Sequence, residues 1–308
     1  MLHMGRLRVL HLVATSGSLT AAAAALNYTT SAVSQQISLL ERETGTRLLD
    51  RHPRGVRLTE PGRVLAEHAG RILSDLHTAE ATLTAVARGQ AGRLRFGSFR
   101  TANATLMPRA VAAFQRSHPQ VSLELSEIDR DEGLAAVASH ELDLALVYEF
   151  PSTPIAAAVA AADVKTVPLL ADPLHIMLAR PHPLAGRQQL RLVDLADEHW
   201  IQGARNGSTS TVLPLACRAA GFEPNILFRT DDQMTVRGLV AAGIGVALAP
   251  WLTLATLPAE VVARPLDEPA LIRTVLAAFP AARHRIPAAE DMGAALRQVS
   301  SELGPAPA

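Results

Sequence analysis

The sequence predicts an α/β chain led by a small all-α-type head, with one long helix between the two. Three observations predict it. Residues 18–43, SLTAAAAALNYTTSAVSQQISLLERE, have the pattern of two short helices meeting at a tight corner. The stretch after Thr59 keeps helical periodicity for roughly 28 residues, about 42 Å at the α-helical rise. From Arg93 the pattern changes to short apolar or alternating runs separated by amphipathic helices, the order of a mostly parallel sheet covered by helices.

In the head, Arg6–Thr15 is expected to be a helix with Leu7, Leu10 and Val13 on its core face, ended by Gly17. Ser18 suits the cap of the next helix, and Ala21–Ala25 lets a neighbour pack closely across it. Asn27 and Tyr28 break the pattern, and asparagine tolerates a left-handed corner. Thr30 or Ser31 is expected to cap the following helix, where Val33, Ile37 and Leu40 form one buried stripe. Its opposite face carries Thr30, Ser34, Gln35 and Ser38. Short hydroxyls and an amide there match base edges in a DNA major groove, whereas the plain alternative is a solvated helical hairpin. Gly45 suits a left-handed helix end. Asp50–Leu58 then reads as a two-armed loop tipped by Pro53 and Gly55. Arg47, Arg51, Arg54 and Arg57, with His52, face one acid, Asp50, so this wing suits phosphates or a minor groove.

Thr59-Glu60-Pro61 is a helix start: a capping hydroxyl, a first-turn acid, and a proline where its missing N–H is harmless. Leu65, Ile72, Ala79 and Val86 repeat every seven residues, with Ala69, Leu76 and Leu83 beside them. That is a coiled-coil-like seam, and a second copy of the chain is the simplest partner for it. Gly89–Gly92 is the linker.

Beyond it, strands are expected at Leu94–Gly97, Val121–Ile128 and Leu142–Val147, with helices at Leu106–Ser117 and Asp131–Ser139. Glu149–Thr153 looks like a crossover to a second lobe. Strands fit there at Val164–Leu169, Leu174–Ala179, Trp200–Gln202, Ile226–Arg229 and Val246–Ala249. Helices fit Leu192–Glu198, Ser210–Ala220, Gln233–Ala242 and Trp251–Ala255. After Pro258 the chain returns to the first lobe through Val262–Pro265 and Arg273–Phe279, and ends in a helix over Ala288–Glu302.

Composition narrows the function. Nearly half of the 308 residues are apolar, so sizeable cores can form, and the zero net charge excludes a uniformly basic coat but not a local basic patch. Aromatic residues are few, which weakens base stacking on single strands. One cysteine, Cys217, excludes an intramolecular disulfide and points to a reducing compartment. Its place on a core face marks an inert buried thiol. No stretch reads as a signal peptide or membrane span, so a cytoplasmic protein without membrane attachment is expected.

In the order and spacing of these parts the chain resembles the LysR-type transcriptional regulators. SGSLTAAAAALNYTTSAVSQQISLLERETGTRLLDR is similar to their winged helix-turn-helix, and VRLTEPG to the entry of their linker helix. GRLRFGS with LMPRAVAAFQRSHPQVSLEL resembles the opening of their effector domain, and LVAAGIGVALAP a helix–strand segment of its second lobe. The resemblance implies a winged helix-turn-helix domain over residues 1–59, a linker and dimerisation helix over 60–91, and an effector domain over 92–308. That domain would have a two-lobed, periplasmic-binding-protein-like fold, with lobe I at 92–150 and 266–308 and lobe II at 151–265. The implied partners are double-stranded DNA, a small-molecule effector and the chain itself, as a dimer through the linker helix and beyond that a tetramer. DNA-reading positions would fall on Thr30, Ser31, Ser34 and Gln35, with wing contacts from Arg51, Arg54 and Arg57. Thr29 and Thr30 stand where the family often has Gln or Pro, which leaves the operator bases open. The effector cleft would be lined by Ser98, Arg100, Thr101, Asn103, Asp129, Tyr148, Gln202, Arg205, Asn206, Ser208 and Val246.

Physical reasoning supports a ligand there. Ser98–Asn103 follows a strand and precedes a helix, as Asn206–Ser210 does in the other lobe, and helix starts favour anions. Arg100 and Arg205 could clamp a carboxylate, so a small organic acid is expected. Glu149 and Asp129 pointing inward would admit an amino acid instead. No cofactor, metal or catalysis is expected: Gly243-Ile244-Gly245 follows a helix where a dinucleotide loop follows a strand, and His175, His182 and His199 lack ligand spacing. The alternatives are a solute-binding protein or an enzyme on the same two-lobed fold.

Overall fold

The computed structural model describes residues 2–52, 55–88, 92–161, 163–203, 209–267, 271–281 and 285–303. The chain divides into two compact units, Met1–Gly89 and nearly all of the chain from Gln90 onward.

The first unit holds α1 (Met4–Ser16), α2 (Leu19–Leu26) and α3 (Thr30–Thr44), then strands β1 (Leu49–His52) and β2 (Gly55–Leu58), then α4 (Glu60–Arg88). Leu7, Leu10, Val13, Val33, Ile37 and Leu40 close one apolar core with Ala22 and Leu48. The Ser18 hydroxyl accepts from the N–H groups of Thr20 and Ala21, as a cap should. Asn27 takes the left-handed corner at φ 54° and Gly45 ends α3 at φ 68°. The cap of α3 is a correction. Thr29, in extended conformation, accepts the Ala32 N–H at 3.2 Å, so Thr30 and Ser31 already lie within the helix.

Thr59 starts α4 as its motif indicates: its hydroxyl accepts the Gly62 N–H at 3.1 Å and donates to the Arg47 carbonyl at 2.7 Å. The sevenfold seam on α4 is divided. Ala66 and Ala69 are buried in the head core with Leu65 packed against it, whereas Ile72 and Leu76 are 40% and 43% exposed. The first two turns serve the head because they lie directly on the Leu48 backbone.

The second unit contains β3 (Arg93–Ser98), α5 (Leu106–Ser117), β4 (Ser122–Glu127), α6 (Arg130–Ala138), β5 (Leu144–Glu149), α7 (Ala156–Ala161) and β6 (Val164–Ala179). It continues through β7 (His199–Gln202), α8 (Thr209–Ala219), β8 (Asn225–Arg229), α9 (Gln233–Ala241), β9 (Ala247–Pro250), β10 (Val261–Pro265), β11 (Ile272–Pro280) and α10 (Pro287–Leu303). A seven-stranded sheet runs in the order β10-β6-β11-β5-β3-β4, with β9 also on β6; β7 and β8 pair separately.

The sheet differs from the mostly parallel expectation. Strands β4, β3 and β5 are parallel, but β11 lies antiparallel between β5 and β6, because it returns from the second lobe. Two expected strands, Val164–Leu169 and Leu174–Ala179, are one continuous β6. Its first part pairs with β11 as far as Pro173, and from Leu174 it pairs with β9 and β10. A proline, with no N–H to donate, is tolerated at that changeover. Strand β6 therefore belongs to both lobes. The stretches expected as helices at Leu192–Glu198 and Trp251–Ala255 are 3-10 turns, Leu192–Leu195 and Trp251–Thr256, and α7 is an element the pattern did not announce. Each lobe has its own core: Leu134, Val137, Ala145, Val147 and Leu276 in the first, Met177, Ile201, Val236, Val240 and Ala247 in the second. Among the described residues no helix is long and apolar enough to cross a membrane.

Candidate functional site

Two places offer functional chemistry. The first is the outer face of α3. Val33, Ile37 and Leu40 turn inward, which leaves Thr30, Ser31 and Gln35 exposed and Ser34 half-buried. The Ser31 hydroxyl lies 2.9 Å from the Thr29 hydroxyl, and Ser38 donates to its own helix at the Ser34 carbonyl, 3.0 Å away. Ser38 is thereby committed, whereas the Gln35 amide extends outward. Glu41 anchors the other end: its Oε1 accepts the N–H groups of Leu48 and Leu49 at 2.9 and 3.2 Å. That contact carries the chain straight into β1 and β2, whose antiparallel register from Leu49↔Leu58 to His52↔Gly55 forms the wing. Arg57 is exposed on β2. Arg54 and the Arg51 side chain lie outside the described residues.

The second is a cavity of about 120 Å³ between the two lobes of the second unit. It lies off the carboxyl ends of β3 and β5, where open α/β sheets receive ligands. Five expected residues line it: Arg100, Thr101, Asp129, Tyr148 and Gln202. Three others do not. Ser98 is buried with its hydroxyl unpartnered among the described residues, and Val246 is buried, bridging to His199. Asn103 donates to Glu127 at 3.3 Å. Arg205, Asn206 and Ser208 lie outside the described residues. Glu149 is occupied by the Ile155 N–H, 3.0 Å away, at the start of α7.

The cations of the cavity are already engaged. Arg100 donates through Nε to Glu127 at 3.1 Å and through Nη1 to the Asp231 carbonyl at 2.6 Å, joining a first-lobe turn to the second lobe just before α9. Arg130 pairs with Asp131 at 2.8 Å. Gln202 is held at both ends, donating to the Ser210 carbonyl at 2.8 Å and accepting from Arg229 at 2.6 Å. The turn after β3 satisfies several of its own N–H groups, Ala102 to Phe99 and Met107 to Ala102.

Sequence reasoning missed the floor of the cavity. Arg273 on β11 faces Asp172 on β6 across the ladder. Its Nε and Nη2 donate to Asp172 Oδ2 at 2.9 and 2.7 Å, and Nη2 also donates to Thr101 Oγ1 at 2.6 Å. Asp172 accepts the Leu252 N–H as well, at 3.1 Å. The guanidinium carbon lies 5.0 Å from the Phe99 ring centroid and 4.9 Å from that of Tyr148, a cation–π contact with each. Burial pushes the Tyr148 hydroxyl above its ordinary pKa, partly opposed by Arg273 and Arg130, so it is a neutral donor at physiological pH. The available signal was a single charge, Arg273, in the apolar strand IRTVLAAFP, and Asp172 with Lys165 in the mainly apolar VKTVPLLADPLHIMLA; the pairing itself was not readable. Among the described residues no group of three His, Cys, Asp or Glu could hold a metal ion.

Comparison with known proteins matches both units of the chain. Residues 4–63 match the family model of the bacterial regulatory helix-turn-helix proteins, lysR family, and residues 87–301 that of the LysR substrate binding domain. Transcriptional dual regulator GltC of Bacillus subtilis is 27% identical over 89% of this chain and 89% of its own. HTH-type transcriptional regulator CfxR of Cupriavidus necator is 31% identical over 82% of this chain and 77% of its own. Among solved structures, full-length OxyR from Pseudomonas aeruginosa superimposes with TM-score 0.70 at 22% identity, covering 96% of this chain and 98% of that one. Full-length CbnR complexed with its target DNA gives 0.62 at 21% identity, covering 97% and 100%.

Proposed function

We propose a working mechanism from the premise that this chain belongs to the LysR family and is a DNA-binding transcriptional regulator with an effector-binding domain. In this reading residues 1–59 bind DNA, 60–91 link and dimerise, and 92–308 sense the effector. It acts in the cytoplasm, beside the DNA, and without catalysis.

One observation carries the DNA reading: α3 presents Thr30, Ser31 and Gln35 to solvent while Val33, Ile37 and Leu40 hold it in the head core. Gln35 reads a base edge, the Thr30, Ser31 and Ser34 hydroxyls reach bases or phosphates, and Arg51, Arg54 and Arg57 lie along the backbone. A mobility-shift titration against the DNA upstream of the chain's own gene tests this. Gln35→Ala is expected to weaken the specific site roughly tenfold or more and relax sequence preference. Arg57→Ala is expected to weaken all sequences alike and to reduce the salt slope by about one. Equal, salt-insensitive binding to any DNA would instead favour a solute-binding protein or an enzyme on this fold.

Self-association is proposed through α4. Val64, Ile72 and Leu76 are exposed in the single chain, an apolar set on a long helix. A two-fold pair would cover that surface and double the wings for a symmetric operator. Ile72→Asp with Leu76→Asp should leave the head folded, convert dimer to monomer in light scattering, and lower operator affinity by roughly tenfold or more as avidity is lost. An unchanged dimer would remove α4 as the interface. Leu125 on β4 and Leu227 and Phe228 on β8 are exposed apolar side chains of the second unit, further surface that the tetramer of this reading would use.

The effector is proposed to be a small organic acid in the inter-lobe cavity. Arg100 and Arg205 remain candidates for its clamp, with Thr101, Asp129, Tyr148 and Gln202 in the wall and Asn206 and Ser208 at the second-lobe helix start. Calorimetric titration of Arg100→Ala and Arg205→Ala with the effector tests that clamp; unchanged affinity in both removes it.

A further inference from the structure

We propose that Arg273 receives a carboxylate of the effector through its Nη1 nitrogen, at the junction of the two lobes, and that the effector is a monocarboxylate with a compact apolar body. The inference rests on the organic-acid reading of the cavity and adds the atom that does the binding.

Arg273 is 5% exposed, and what is exposed of it faces the cavity. Asp172 holds the guanidinium along one edge, through Nε and Nη2, and Thr101 takes the remaining direction at Nη2. Nη1 makes no hydrogen bond among the described residues. That nitrogen is not among the buried polar atoms left without a partner, so its N–H groups are open to the cavity, where an acceptor can reach them. The rings of Phe99 and Tyr148 lie against the guanidinium, which leaves in-plane approach at its edge, the direction a planar carboxylate uses. The other two guanidiniums in the wall are each engaged by a carboxylate, Arg100 by Glu127 and Arg130 by Asp131.

The rest of the cavity describes the remainder of the ligand. Ile201, Leu213, Val236 and Leu248 form an apolar wall on the second-lobe side. Asp172 already neutralises the Arg273 charge, so each arriving carboxylate adds net negative charge at a buried place. Arg100 and Arg130 are already offset by Glu127 and Asp131, so the open Nη1 edge suits one carboxylate, and a second would be strongly disfavoured. Position gives the contact a regulatory consequence. Arg273 and Asp172 sit opposite each other on β11 and β6, just before β6 leaves β11 for β9 and β10. Thr101 belongs to the first-lobe turn and Leu252 to the second-lobe segment after β9, so the pair ties both lobes to one point. Occupancy at Nη1 would bias the angle between the lobes.

The test uses the full chain and calorimetry with butyrate, hexanoate and benzoate, each beside its uncharged amide. Arg273→Gln alone would strand a buried Asp172, so the working variant is the double Asp172→Asn with Arg273→Gln, which keeps shape and hydrogen bonding without charge; its folding is checked by thermal unfolding. At least one carboxylate is expected to bind the wild-type chain, its amide not, with a loss of roughly tenfold or more in the double variant and a similar loss in Arg273→Lys. Arg116→Gln, which removes an exposed guanidinium on α5 outside the cavity wall, is expected to bind within about threefold of wild type. Undiminished carboxylate binding in the folded double variant, or an amide binding as tightly as its acid, would overturn the assignment to Arg273. If no carboxylate binds the wild-type chain, the organic-acid reading itself falls, and this inference with it.

Discussion

Gly62→Ala is expected to disable the head. A Cβ at this position would stand 2.0 Å from the Leu48 carbonyl oxygen and 2.9 Å from its carbon. These are backbone atoms, with no flexible side chain to move aside, and the Leu48 carbonyl also accepts the Thr59 N–H at 3.0 Å. The first turn of α4 would have to lift, carrying Ala66 and Ala69 out of the core they share with Leu10 and Leu40. Overpacking of this kind costs about 3 kcal/mol, the upper end of its usual range. Against a domain stability of about 5–15 kcal/mol, that removes a large share of the head's margin, and the lifted α4 displaces the core beneath α3 even where the head stays folded. A lowered first transition in calorimetry and loss of operator binding are the expected readouts. Wild-type melting with full operator affinity would show that α4 does not seat against Leu48 in this way.

Asp172→Ala is expected to be nearly as damaging in the second unit. The substitution leaves the Arg273 guanidinium buried without its counter-charge and removes the acceptor of the Leu252 N–H. Breaking one side of a buried pair costs about 3–5 kcal/mol, whereas replacing both partners by neutral groups of similar shape is often close to neutral. Urea unfolding of the effector domain should therefore order the variants clearly. Asp172→Ala falls well below wild type, and the double Asp172→Asn with Arg273→Gln lies between them. A single variant as stable as wild type would mean that the pair is open to water and not the floor of the cavity.

Much of the head was legible because its determinants are local. The stripe Val33, Ile37, Leu40, the cap at Ser18, the left-handed positions Asn27 and Gly45, and the Thr59-Glu60-Pro61 start each depend on neighbours within a few residues. The one-residue error at the α3 cap has the same root: Thr29, Thr30 and Ser31 are all competent caps, and the choice depends on where the corner places the chain. The α4 seam was legible only as an apolar face, for a different reason. A sevenfold repeat announces an apolar face without saying what covers it, and the head takes the first part.

The cavity was legible in outline and not in its centre. Arg100, Thr101, Asp129 and Tyr148 were placed there by the family resemblance, with the position of Arg100 and Thr101 between a strand and a helix in support. Asp172 and Arg273 are 101 residues apart, and Thr101 and Arg273 are 172 apart. Nothing near either residue announces its partner.

By itself the sequence determined most of the secondary elements, the order of head and effector unit, and the polar face of α3, since periodicity and capping act over a turn or two. Only the tertiary structure decided that β6 is one strand shared by both lobes, that β11 enters antiparallel, and that two isolated charges meet on those strands beneath a cavity. The reason is physical. Strand register and a buried ion pair exist only once distant segments have excluded water together, and no local preference encodes which charge will find which.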